Sequence, residues 1–508
     1  MRLIFTSDIH SYLFPTTFAE NADRNIGHYR IIGSYEKDKD TVVIDGGDNI
    51  QGSALSKYVI ENKLFNPFPQ AETFRKGGLD LAVPGNHDFN YGRDIFSLFF
   101  KELGAQILCA NLIDKRGLLD IKNHIVLTDS TGLRVGFTGL VTDFVNVWES
   151  KENIESFIVS DVREAAEREL KWLKNNSDYS VLIYHGGFEC DLKTGKKLLD
   201  SRENIGYEIC QDLDYSLLLS GHQHLGVDFT KVNNTYVMQC PSFAQAYCLV
   251  ELTKDGIKGE LKSPNAEAKE EEKKHTALRE NVESWLDRAC GEIEEEIKAP
   301  SQIESLLHGN HIADFFNYIQ KEATGAHISV CALNNNLFSF SKEVTIREIL
   351  ASYQYPNSLC VVEIDEEGLK SALERTAEFF NLTQWGPTID QKFLCPKMEM
   401  YNYDYYYGIE YEFDISKKVG ERVTKLRYKG EEIGSRKLSL VLNNYRITGA
   451  GGYDIYPKCK VIKILDKDVQ DLSVEYLLKH KGKPLSWPKA EFSTKGYSLE
   501  TESFNSKV

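Results

Sequence analysis

Five short clusters carry metal-ligand chemistry in the first half of this 508-residue chain: Asp8-Ile9-His10, Gly47-Asp48-Asn49, Gly85-Asn86-His87-Asp88, Tyr184-His185-Gly186-Gly187 and Gly221-His222-Gln223-His224. Together they offer enough nitrogen and oxygen donors for two metal ions. Asp48 is the natural bridge, because one carboxylate can give an oxygen to each cation. Imidazole, carboxylate and amide oxygen, with no thiolate among them, suit Mn, Fe, Co, Zn or Ni better than copper(I). Two such cations a few ångströms apart acidify a water and clamp the attacking and leaving oxygens of an in-line displacement, which is the chemistry of phosphate ester hydrolysis.

The elements that must position these residues are legible beside them. An apolar, β-favouring run precedes each cluster: Leu3-Ile4-Phe5, Val42-Val43-Ile44, Leu81-Ala82-Val83, Val181-Leu182-Ile183 and Leu217-Leu218-Leu219. The polar residues therefore fall where buried strands end, and in open α/β sheets those ends converge on one crevice. Alternation along an extended segment predicts that Asp8 and His10 share a face, as do His222 and His224. A lone Asp-x-His or Gly-His-x-His is a weak signal, whereas five clusters, each after a strand, are not explained by chance. His28, His124, His275 and His327 fall outside the pattern and read as packing or surface residues, while His308 and His311 flank a helix start.

In order and wording the clusters resemble the metallophosphoesterase superfamily, specifically the 2′,3′-cyclic-nucleotide 2′-phosphodiesterase/3′-nucleotidase branch of the 5′-nucleotidase family. The resemblance implies that Asp8, His10, Asp48 and His224 hold one metal, and Asp48, Asn86, His185 and His222 the other. His87 then stands clear of both and is the candidate general acid, a role worth about 10²–10⁴ in rate. Asn86 and His87 would donate to the charged transition state. The 5′-nucleotidase pattern has an Asp three residues beyond this His, but this chain has Asn90, as the cyclic-nucleotide branch does in the run Gly85 to Gly92. An amide can orient the imidazole without supplying charge. His224, often Gln in 5′-nucleotidases, points the same way.

Length and composition fit two domains: 508 residues exceed one core, and 42% hydrophobic content can fill two. The segment Ala266 to Lys274 is rich in Glu and Lys, and Leu278, Val282, Trp285, Leu286 and Ala289 then recur at helical spacing. Ile312, Phe315, Phe316 and Ile319 trace a second helix between Asn310 and Gly325. The expected division is a catalytic domain over 1–262, a helical connector over 263–325, which the resemblance makes a hinge for domain rotation, and a substrate domain over 326–508. The expected fold class is α/β, a four-layer α/β/β/α metallophosphoesterase domain joined to an α/β substrate-binding domain.

Landmarks that resemble the cyclic-nucleotide branch continue in the second half at Ser329–Leu333, Tyr355–Leu359, Tyr401–Asp404 and Asn443–Arg446, followed by Gly451-Gly452-Tyr453. The match would place a nucleobase between Tyr403 and Tyr453, with Asn443, Asn444 and Arg446 binding ribose or phosphate or bracing the loop. Against this, Tyr401, Tyr403, Tyr405 and Tyr407 alternate as cross-strand packing residues do.

A net charge of −16 argues against a nucleic acid polymer as partner, since such partners are bound through positive surface charge. No apolar stretch reaches the roughly 18 residues that span a bilayer. Met1-Arg2 runs directly into the first strand and the 10 cysteines are scattered, so the expected location is cytoplasmic, although many relatives are exported. The leading expectation is hydrolysis of 2′,3′-cyclic nucleotides and nucleoside 3′-monophosphates, the partner being a small nucleotide. The runner-up is a 5′-nucleotidase or UDP-sugar hydrolase, and a reading from another class is a catalytically idle nucleotide-binding sensor.

Overall fold

The computed structural model describes residues 1–20, 22–197, 202–264, 270–353, 358–395, 398–465 and 467–497. All five apolar runs are strands, over Arg2–Thr6, Thr41–Asp45, Leu81–Ala82, Tyr179–His185 and Leu217–Ser220. The first three lie side by side and parallel in a seven-stranded sheet, and the last two lie parallel in a six-stranded sheet beside Arg134–Val141. Being buried on both faces, these strands read as unbroken apolar runs.

The two sheets pack face to face. Leu3, Phe5, Ile44, Leu81 and Val83 of one interleave in a single core with Val135, Phe137, Val181, Ile183, Leu217 and Leu219 of the other. On the outer face of the second sheet, Leu182, Tyr184 and Leu218 meet Val162, Ala165, Ala166, Leu170 and Leu173 of the helix Val162–Asn176. Ile4 and Val43, which alternate with the inner residues of the first sheet, are buried as well. Each of the five strands runs directly into its cluster or ends just ahead of it.

The chain divides into two compact units, Met1–Ser284 and Trp285–Val508, so residues 285–325 of the expected connector pack with the second unit. The helix Thr276–Leu286 forms as its spacing predicts, but Ala289 starts a strand, Ala289–Glu292, paired with Glu343–Thr345. Of the Glu/Lys-rich run, residues 270–274 are helical and 266–269 lie outside the described residues. The second helix runs His311–Thr324, capped by the Asn310 side chain on the Ile312 amide and ended by left-handed Gly325. Its Asn317 donates to the Tyr405 carbonyl and Gln320 to Ser329 Oγ, which ties it to a five-stranded mixed sheet. Tyr355, Pro356 and Asn357 lie outside the described residues. Among the described residues no helix is long and apolar enough to cross a membrane.

Candidate metal centre

Two groups of ligand atoms converge at the strand ends: Asp8, His10, Asp48 and His224 in one, and Asp48, His185 and His222 in the other, with all atoms of a group within 4.8 Å of one another. Asn86 joins the second, its Oδ1 lying 2.8 Å from His222 Nδ1 and 3.2 Å from His185 Nε2. Asp48 is shared. All seven residues expected to be ligands are thus brought together.

The way the backbone delivers them differs from the expected strand alternation. Asp8, His10, Asp48, His222 and His224 all have positive φ, between 49° and 72°. Left-handed backbone is uncommon for residues with a Cβ and costs about 1–3 kcal/mol at each such position. Asp8/His10 and His222/His224 therefore converge through tight left-handed turns beyond the strands, not through the pleat.

Neighbouring glycines make the turns possible. A Cβ on Gly85 would stand 2.2 Å from Asp48 Oδ1 and 2.7 Å from His185 Cε1, and one on Gly221 would stand 2.4 Å from Asp8 Oδ2. Two carboxylates outside the candidate ligand set fasten the loops. Asp88 accepts from the amides of Gly85, Asp48, Asn49 and Ile50, and Asp45 from the Gly47 amide, Asn49 Nδ2 and Thr6 Oγ1. The adjacency of Asp88 to His87 was visible, but its partners were not.

The donor set fits cations. His10 Nε2 and His224 Nε2 are 3.0 Å apart, an approach two imidazole nitrogens make around a shared proton or a shared ion. The buried Asp48 Oδ2 has no well-directed hydrogen bond and faces His185 Nε2 at 3.2 Å and His10 Nε2 at 3.7 Å, while Asp48 Oδ1 accepts the His87 amide at 2.7 Å. Backbone carbonyls of Gln51 and Gly46 take the Nδ1 protons of His10 and His185, at 2.7 and 2.6 Å, which turns each Nε2 inward. His222 is held the other way round, with Glu203 on Nε2 at 2.9 Å and Nδ1 turned inward.

Burial opposes charge throughout this pocket and lowers His10. At His185 burial is outweighed by the adjacent Asp48 carboxylate, which pushes it up to about 10. Burial works against the Asp48 carboxylate too, but the imidazoles of His185, His87 and His10 hold it well below the usual range. A carboxylate sustained in the interior by surrounding positive charge is also suited to a divalent cation.

His87 lies beside the cluster, its ring centroid 5.4 Å from that of His10. Its Nδ1 is 2.8 Å from Asn90 Oδ1, and Asn90 Nδ2 donates to Glu149 Oε2 at 2.6 Å. Trp148, the residue before Glu149, stacks on His222 with centroids 5.4 Å apart and planes at 21°. Nothing in the Trp148-Glu149 sequence marks either residue; only the fold brings this segment to the centre.

The expected substrate residues of the second unit are placed less openly. Tyr403 and Tyr453 are 2% and 1% exposed, so in this structure neither offers a base an open ring face. Tyr403 packs edge-on against Phe379 and Tyr405, but the expected alternating strand is shorter than the tyrosine row: Tyr401 sits in a 3-10 turn over Met400–Asn402, Tyr403 ends it, and only Tyr405–Tyr407 is a strand. Tyr453 stacks on Tyr456, its hydroxyl is tied to Thr376 Oγ1 and the Asn402 carbonyl at 2.9 Å each, and it borders a cavity of about 440 Å³ with Arg375 and Asp454. Arg446 is committed to Asp404 at 2.8 Å and to the Ala450 carbonyl at 2.7 Å, and Asn443 caps the turn at the Arg446 amide. These two brace the loop. Asn444 keeps a buried side-chain oxygen without a partner.

Comparison with known proteins agrees with this division. Residues 1–226 match the calcineurin-like phosphoesterase family and residues 290–458 the 5′-nucleotidase C-terminal domain. A 2′,3′-cyclic-nucleotide 2′-phosphodiesterase/3′-nucleotidase of Salmonella typhimurium is 22% identical over 88% of this chain and 81% of its own length. The trifunctional nucleotide phosphoesterase YfkN of Bacillus subtilis is 22% identical over 95% of this chain, which spans only 38% of that protein. A Staphylococcus aureus 5′-nucleotidase candidate, solved in complex with α-ketoglutarate, superposes with a TM-score of 0.87 at 26% identity, over 97% of this chain and 99% of that one.

Proposed function

We propose that this chain, which belongs to the calcineurin-like phosphoesterases and carries a 5′-nucleotidase C-terminal domain, hydrolyses 2′,3′-cyclic nucleotides and nucleoside 3′-monophosphates. The observation that carries the reading is the convergence of seven donor side chains into two clusters that share Asp48. Asp8, His10, Asp48 and His224 would hold one divalent cation, and Asp48, Asn86, His185 and His222 a second, with Mn, Zn, Fe, Co and Ni the fitting elements. When bound, such ions supply positive charge to the phosphoryl oxygens and make water a stronger acid.

The chain's own residues do the rest. Asp48 uses Oδ1 to fix the His87 backbone, which sets that residue beside the centre while Oδ2 faces both clusters. His87 gives a proton from Nε2 to the departing ribose oxygen, with Nδ1 held by Asn90. The preference for cyclic and 3′-phosphates rests on Asn90 and His224 and on the names of the relatives, which include three 2′,3′-cyclic-nucleotide enzymes. Ten free thiols, most of them buried, favour a reducing compartment such as the cytoplasm.

A metal-supplemented panel of 2′,3′-cyclic, 3′- and 5′-phosphorylated nucleosides tests the assignment. The first two should have the higher kcat/KM. A preference for 5′-monophosphates would move the chain to the runner-up activity, and no turnover of any of them with two metals bound would leave the sensor.

A further inference from the structure

The amide at position 90 can face His87 in two ways, and only one of them permits an acid. With Oδ1 toward the ring, Nδ1 carries a proton and the imidazole can hold a second at Nε2. With Nδ2 toward the ring, Nδ1 must be a lone pair, and the doubly protonated ring is excluded by N–H against N–H. An amide offers a donor on one side and an acceptor on the other, so its orientation has to be imposed by a partner of fixed character.

Glu149 is that partner. Its Oε2 lies 2.6 Å from Asn90 Nδ2, and an ionised carboxylate only accepts, so the amide nitrogen must face it and the oxygen must face His87. The carboxylate is itself fixed: Oε1 accepts from the Ser150 amide at 2.7 Å and from Asn153 Nδ2 at 3.0 Å. Asn153 Nδ2 also reaches the Asn90 carbonyl at 3.0 Å, so the same short segment grips both the backbone and the side chain of Asn90.

We infer that Glu149 is a positioning residue of the reaction, which acts through Asn90 to hold His87 in the one orientation from which its Nε2 can protonate a leaving group. The charge missing from position 90 is supplied one hydrogen bond further out, from a segment distant in sequence. Glu149 belongs to neither candidate ligand group, so its action on the reaction runs through Asn90. The inference rests on the proposed general-acid role of His87.

The test compares a leaving group that needs a proton with one that does not. Turnover of a nucleoside 3′-monophosphate, whose alkoxide leaves poorly, is measured beside that of p-nitrophenyl phosphate for the wild type, Glu149→Gln, Asn90→Asp/Glu149→Gln and His87→Ala, each with its metal content determined. Glu149→Gln should lower the nucleotide-to-nitrophenyl turnover ratio by about 10- to 100-fold, a part of what general acid catalysis supplies. Asn90→Asp should restore the ratio in the Glu149→Gln background by returning a carboxylate directly to the imidazole. An unchanged ratio in Glu149→Gln, or equal losses on both substrates with metals retained, overturns the inference, as does failure of the double variant to recover. If Glu149→Gln cannot be purified folded, the double variant against Asn90→Asp carries the comparison, and the higher ratio must be in the double. Should His87→Ala itself leave the ratio unchanged, the general-acid reading falls, which separates that failure from failure of the relay alone.

Discussion

Among single residues, Asp48 carries the most, because it alone belongs to both ligand groups. Asp48→Asn should reduce bound metal below two per chain and lower turnover by more than about 100-fold, since even partners outside the ligand shell affect metal sites on a 10- to 100-fold scale. Elemental analysis and a phosphate-release assay read both, and full metal content with full activity would refute the site. His87→Ala should keep its metals and lose about 10²–10⁴ in kcat on nucleotides. His28 bears on stability instead. It is buried against Phe74 with no partner for Nδ1, and burial pushes it down to about 3. The unfolded chain takes up the proton near pH 6.5 and the folded chain does not, so this contribution is intact above pH 6.5 and is lost as pH falls toward 3. Metal-free His28→Phe should therefore lose less stability than metal-free wild type between pH 7 and 4 in denaturant melts. Equal losses would contradict the assignment.

Among elements, the turns after the strands decide the site. Gly85→Ala would set a methyl 2.2 Å from Asp48 Oδ1, between backbone and ligand where little can yield, and should abolish metal binding while the far-ultraviolet circular dichroism is retained. Wild-type metal affinity in that variant would show the cradle to be looser than its geometry. Asp88→Asn would set an NH2 group against two of the four backbone N–H groups and should cost about 1–3 kcal/mol in denaturant melts. The strands before these turns were legible because full burial writes itself as unbroken Val, Ile and Leu. The helix His311–Thr324 was legible from its stripe, its Asn cap and its terminal Gly. The left-handed backbone at Asp8 and His222 was not, because nothing in an Asp or a His announces positive φ. Ala289 joined a helical count by coincidence of spacing, and pairing with Glu343–Thr345 placed it in a strand.

For the whole molecule, the division into units at 284/285 gives a thermodynamic expectation. Every candidate ligand lies in the first unit, so chelation should lower one calorimetric transition and leave the other in place. The shift would correspond to about 2.7 kcal/mol for metal at 100 times its Kd. Equal shifts in both transitions would mean that the units unfold together. The sequence by itself determined the candidate ligands, the strands that precede them and the presence of a second domain, because donor chemistry and burial are properties of residue types in short runs. Only the tertiary structure decided that Glu149 stands behind Asn90, that Asp88 ties two loops, and that Tyr403 and Arg446 serve packing before binding. Those facts depend on which distant segments a folded chain brings within hydrogen-bonding distance, and no local pattern encodes such a meeting.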